Sequence, residues 1–75
     1  MKLYRNIIID STVTRVMKGR IGQKTPHAFL ITEVAKQIDL FQAQPPMIKE
    51  RIECLIEKQI LKRNDADRTC YDYVA

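Results

Sequence analysis

Between residues 7 and 59 apolar side chains recur every three to four positions in three separate stretches, and after residue 60 the repeat shortens to two. The longer repeat puts apolar groups on one face of a helix, and the shorter one puts them on one face of a strand. This change of period restricts the chain to a small helical bundle closed by a hairpin. In the first stretch Ile9, Val13, Val16 and Met17 form the stripe of a helix expected from Ile7 to Lys18. Its β-branched residues are poor helix formers, so packing of the stripe must supply the stability. Gly19 and Gly22 then stop it. Thr25 and Pro26 read as the N-cap and first residue of a second helix, with Leu30, Ile31, Val34, Ala35 and Ile38 on its apolar side. Pro45 and Pro46 break the chain and open a third helix reaching Gln59, with Ile48, Ile52, Leu55 and Ile56 turned inward. Its other face carries Lys49, Glu50, Arg51, Glu53, Glu57 and Lys58 and reads as a solvated, salt-bridged surface.

Ile60 to Arg63 and Thr69 to Val74 read as two short strands, with turn chemistry between them in Asn64 to Arg68. Tyr71 and Tyr73 share one strand face, as hairpin-core packing requires. Three helices followed by a hairpin is the order of a winged helix. The expected fold class is therefore α+β, a three-helix bundle with a C-terminal two-stranded β-hairpin wing, forming a single domain over residues 1–75.

The remaining features exclude more than they assign. A chain of 75 residues, 45% hydrophobic and 29% charged, is globular and too short for a deep catalytic cleft. Its longest aliphatic run, Ile7 to Ile9, ends at Asp10, far from the ~20 apolar residues of a membrane span, and no signal-peptide pattern precedes it. A soluble protein is expected. Cys54 and Cys70 belong to no CxxC or Cys/His array, so neither a disulfide framework nor a zinc site is expected. They read as small hydrophobes in a reducing compartment, which suggests cytoplasm and nucleus. His27 has no Ser, Cys or acidic partner at a motif spacing. With no nucleophile-base pair, metal cluster or phosphate loop, no enzyme and no cofactor are expected. The net charge of +4 is concentrated at the N-terminal end, where Lys2, Arg5, Arg15, Lys18, Arg20 and Lys24 are opposed only by Asp10. Such a patch suits an acidic protein surface or a nucleic acid.

Three blocks resemble the C-terminal winged-helix domain of the cullins, scaffold subunits of multisubunit ubiquitin ligases. Val13-Thr14-Arg15-Val16-Met17-Lys18 resembles a family segment whose final lysine is modified. Met47 to Ile56 resembles its Ile-Lys-(Lys/Arg)-(Arg/Cys)-Ile-Glu-x-Leu-Ile helix, and Tyr71-Asp72-Tyr73-Val74-Ala75 resembles its closing residues. Departures fall at Thr14, Gly19, Ile21-Gly22, Ile60 and Lys62-Arg63. The resemblance implies a much longer upstream protein. It also implies a non-catalytic scaffold domain whose Lys18 receives the neddylation modifier through an isopeptide bond, activating the ligase. The implied partners are the modifier, its conjugating enzyme, an Rbx-type RING subunit and the rest of the cullin scaffold.

Elementary geometry agrees with that choice of lysine. Lys18 lies roughly 140° around the helix from Val13 and so projects to solvent, and Arg15, one turn earlier, shares that side. Gly19 leaves room for an incoming active site and lets the last turn fray. Arg15, Met17 and Arg20 are the candidate partner-binding residues around it, although the two arginines equally suit a purely solubilising role. The other lysines read as ordinary solvated side chains. A winged-helix DNA-binding domain is the alternative, but the third helix offers no surplus of cations and no asparagine on its exposed face.

Overall fold

The structure, a computed structural model, describes residues 2–74. Helix α1 spans Lys2–Lys18, strand β1 Thr25–Pro26, helix α2 His27–Gln37, helix α3 Pro45–Glu57, strand β2 Leu61–Arg63 and strand β3 Cys70–Tyr73. The winged-helix order is present, with three helices packed on one another and the sheet closing one side of the bundle.

Ile9, Val13 and Met17 of α1 are fully buried at successive fourth positions, against Leu30 and Val34 of α2 and Ile48, Ile52 and Leu55 of α3. Val16 is only partly buried. The β-branched threonines of α1 turn their hydroxyls onto the preceding turn. Thr12 Oγ1 donates to the Ile8 carbonyl and Thr14 Oγ1 to that of Asp10, both at 2.8 Å, so neither costs an unpaired polar group. Helix α1 begins five residues before the expected start. Tyr4 on this added portion and Ile7 just after it are exposed, which is why no inward stripe announced it.

Thr25 is not an N-cap. It and Pro26 form an edge strand paired with β3, Thr25 opposite Tyr71 and Pro26 opposite Cys70, and the sheet has three strands in the order β1-β3-β2. The expected two-stranded wing is β2 and β3, with Leu61 opposite Tyr73 and Arg63 opposite Tyr71. Proline is tolerated in β1 because an edge strand has one side without a partner. Helix α2 starts at His27 with Pro26 as its cap residue and no side-chain cap.

Helix α3 has its prolines in the first turn, where missing N–H groups cost nothing. It ends two residues before Gln59, which takes a left-handed φ of 63°. The Gln59 N–H donates to the Ile56 carbonyl and the Ile60 N–H to the Leu55 carbonyl, each at 3.0 Å. This is the Schellman closure, here without the usual glycine. In the wing, Asn64 Oδ1 accepts the N–H groups of Ala66 and Asp67, and Asp67 Oδ1 accepts the N–H and the hydroxyl of Thr69. The bonds from Thr69 hold the Asp67 carboxyl below the ordinary range. Tyr71, 2% exposed, shares a 2.7 Å hydrogen bond with His27 Nδ1, and burial pushes its phenol up. His27 is thus half-buried and ties α2 to β3. Tyr73 packs partly against the core. Ala75, part of the closing block, lies outside the described residues.

Candidate modification site

Lys18 is the last residue of α1 and is exposed, while the residue before it, Met17, is fully buried. The stripe that buries Val13 and Met17 therefore turns the Lys18 side chain outward. Both Arg15 and Lys18 sit in the last turn, where the carbonyl end of the helix dipole favours cations. Among the described residues Lys18 makes no ion pair or side-chain hydrogen bond. The turn beneath it is closed rather than frayed, because the Gly19 N–H reaches the carbonyls of Arg15 and Val16 at 3.3 and 3.2 Å and the Arg20 N–H that of Met17 at 2.9 Å.

A shallow groove runs from Lys18 back along α1. It is lined by Asp10, Ser11, Thr14 and Arg15 on that helix and by Leu55, Lys58 and Ile60 around the end of α3. Asp10 is its only carboxylate among the described residues, and it is already engaged. Arg51 Nε and a terminal guanidinium nitrogen each donate to one Asp10 oxygen at 2.8 Å. That fork pins α1 to α3 and raises the Arg51 pKa, with the hydrogen bond to Asp10 outweighing the opposing effect of burial. The other polar side chains lining the groove with Lys18 are cationic or hydroxylic, beside the apolar Leu55 and Ile60.

The three expected partner-binding residues fare differently. Met17 is core, with no surface to offer, because its spacing from Val13 places it on the inward stripe. Arg15 is exposed but donates to Gln37 Oε1 on α2 at 3.1 Å, so its guanidinium is engaged with that helix. Arg20 donates from Nε to the buried Thr25 Oγ1 at 2.9 Å and lies over the Phe29 ring, 4.7 Å from its centroid. It clamps the link between α1 and β1. The charged face of α3 also differs from expectation. Arg51 leaves its neighbouring glutamates for Asp10, and Glu53 pairs with Arg63 of β2. Asp10, Arg51 and Lys58 were missed as parts of one site, since their association spans two helices and leaves no local spacing signal.

Cys54 is half-buried and Cys70 buried, both as free thiols. Among the described residues no group of three His, Cys, Asp or Glu side chains is placed to hold a metal ion, and no helix is long and apolar enough to cross a membrane.

The cullin protein neddylation domain matches this chain over residues 4–67. The chain belongs to that family. It is 40% identical to Cullin-3 of Dictyostelium discoideum over 68 residues, 89% of this chain. It is 38% identical to Cullin-3 of Caenorhabditis elegans over 72 residues, 95% of the chain, and 43% identical to Cullin-3B of Arabidopsis thaliana over 68 residues. In each case it spans about 9% of the relative's length. A solved structure of Dcn1(P)–Cdc53(WHB), concerned with a dual E3 mechanism for Rub1 ligation to Cdc53, superposes with a TM-score of 0.89 at 32% identity. The match covers 99% of this chain and 84% of the other. The cullin neddylation domain thus has the winged-helix architecture that the periodicity of the sequence implied, with one more strand.

Proposed function

We propose that this chain is the modification-accepting domain of a cullin scaffold in a RING-type ubiquitin ligase complex, and that Lys18 accepts the neddylation modifier. The observation that carries the reading is the placement of Lys18. It is exposed and without an ion-pair partner among the described residues, on the last turn of a helix anchored by Met17. It also ends the Val-Thr-Arg-Val-Met-Lys segment of a cullin neddylation domain. The chain acts as substrate. The neutral Lys18 amine attacks the thioester carbonyl that joins the modifier's C-terminal glycine to its conjugating enzyme. A C–N bond forms, the C–S bond breaks, the enzyme's thiolate leaves, and the amine proton passes to solvent. An Rbx-type RING subunit presents the charged enzyme, and the attached modifier shifts the domain from its resting contacts. Cytoplasm and nucleus are the compartments this role implies.

DNA binding finds no such support. The exposed residues of α3 and its cap include Lys49, Glu50, Glu57 and Lys58, and Arg51 is turned to Asp10. A groove-reading helix needs a surplus of cations facing phosphate.

The test uses the longer cullin polypeptide with its RING partner in a neddylation reaction. The branched peptide from the wild type should map to Lys18. Lys18→Arg keeps the charge but removes a usable nucleophile, and the initial rate should fall roughly 100-fold. A wild-type adduct mapping to any other lysine overturns the assignment.

A further inference from the structure

The Asp10–Arg51 fork fixes more than stability, because it sets the register of the two helix ends that flank the groove. Lys18 lies eight residues beyond Asp10 on α1, and Lys58 lies seven residues beyond Arg51 at the end of α3. At 1.5 Å per residue these are rises of roughly 12 and 10.5 Å from the pin. Both run in the same direction, since Lys18 and Lys58 line the same groove as Asp10. The two lysines therefore line one groove at the ends of these two helices.

Their surroundings are alike. Each is exposed and each stands at the C-terminal end of a helix, Lys18 as the last residue of α1 and Lys58 as the cap residue of α3. Neither amine makes an ion pair or side-chain hydrogen bond among the described residues, and the groove's one carboxylate is held by Arg51. Lys24, Lys36, Lys49 and Lys62 differ. Lys24 pairs with Asp67 and Lys62 with Asp65, each at 3.7 Å. Lys49 is in the first turns of α3, at the opposite end from Lys58, and Lys36 is on α2 outside the groove.

We propose that Lys58 is a second acceptor amine, reached by the same thioester-charged active site that serves Lys18. The proposal rests on the reading of Lys18 as the primary site. The bond changes are the same. The Lys58 amine attacks the thioester carbonyl, C–N replaces C–S, the enzyme's thiolate departs, and the amine's proton goes to solvent. Lys18 is favoured because the active site is aligned on α1. An offset of about an ångström in attack geometry can cost on the order of 100-fold, which makes Lys58 slow but not silent.

The experiment is a neddylation time course on the full cullin polypeptide with its RING partner, carrying Lys18→Arg, followed by mapping of branched peptides within this chain. The residual adduct is expected on Lys58, roughly 100-fold slower than the wild-type reaction. It should disappear in the Lys18→Arg/Lys58→Arg variant and persist in Lys18→Arg/Lys49→Arg. All are exposed lysines whose exchange for arginine leaves folding intact. A short bifunctional amine reagent, with no enzyme present, should also join Lys18 to Lys58 in the wild type. Residual adduct on any lysine of this chain other than Lys58, or none in this chain, overturns the proposal, as does failure of the two lysines to cross-link. If the wild-type adduct maps away from Lys18, the primary reading fails, and Lys58 is still judged by the Lys18→Arg map.

Discussion

Replacing Arg51 with methionine would strip a mostly buried carboxylate of its partner. The Arg51 and Asp10 side chains are 16% and 24% exposed, and two bonds of 2.8 Å join them in the fork geometry that makes such pairs strong. Exposed ion pairs contribute about 0.2–1 kcal/mol, while removing one partner of a fully buried pair costs about 3–5 kcal/mol. The observed burial lies between these cases, so Arg51→Met should cost about 2 kcal/mol. In a domain of this size that lowers Tm by roughly 8–16 °C. Methionine retains much of the arginine stem's packing, so the loss reports the charge and its hydrogen bonds rather than a cavity. Urea unfolding of the wild type, Asp10→Asn, Arg51→Met and the double variant closes a cycle with an expected coupling of about 1–2 kcal/mol. A coupling within about 0.3 kcal/mol of zero would refute the claim that this pair pins α1 to α3.

Ile52→Ala and Leu55→Ala should each cost about 2–5 kcal/mol as buried truncations, against about 0.5 kcal/mol or less for the exposed Glu50→Ala. Equal effects in chemical denaturation would mean that α3 presents a different face. Gln59→Gly should stabilise by about 0.5–1 kcal/mol, because relief of the left-handed backbone exceeds the entropy glycine adds to the unfolded chain. A lower Tm for that variant would contradict the Schellman geometry. Asp67 has a depressed pKa, so as pH falls below 3.8 the unfolded chain takes up the proton before the folded one does. Its contribution is present above that pH and lost as pH falls toward the folded value. Asp67→Asn should flatten the stability profile as pH falls below about 3.8, and an unchanged acid limb in a thermal-melt series would count against it.

The elements that sequence revealed are those whose signal is local. The stripes Ile9-Val13-Met17, Leu30-Val34 and Ile48-Ile52-Leu55 repeat within single helices, and the proline pair marked the start of α3 where the structure has it. Strand β1 was hidden because two residues carry no period. Thr25-Pro26 has the composition of a helix start, and only Tyr71, far along the chain, makes it a strand. The outward placement of Lys18 was legible, since it follows from one helix alone. The groove beside it was not. Arg51 has no carboxylate three or four residues away on its own helix, and its partner Asp10 comes from another helix. Met17 shows the limit in reverse, because neighbouring an exposed lysine in sequence says nothing about sharing its surface.

Met17 and Lys18 are consecutive, and between them the chain passes from core to solvent. Cargo hung on a loop would wander through a large volume and meet any given surface rarely. Here the backbone beneath the amine is held by buried side chains, so the tether consists of little more than the lysine stem and its new bond. Local concentration rises steeply as a tether shortens, reaching the millimolar range for short flexible links. A protein joined at this point would sample the nearby faces of its own scaffold at that concentration. Surfaces too weakly matched to form a complex between free molecules would then be occupied most of the time.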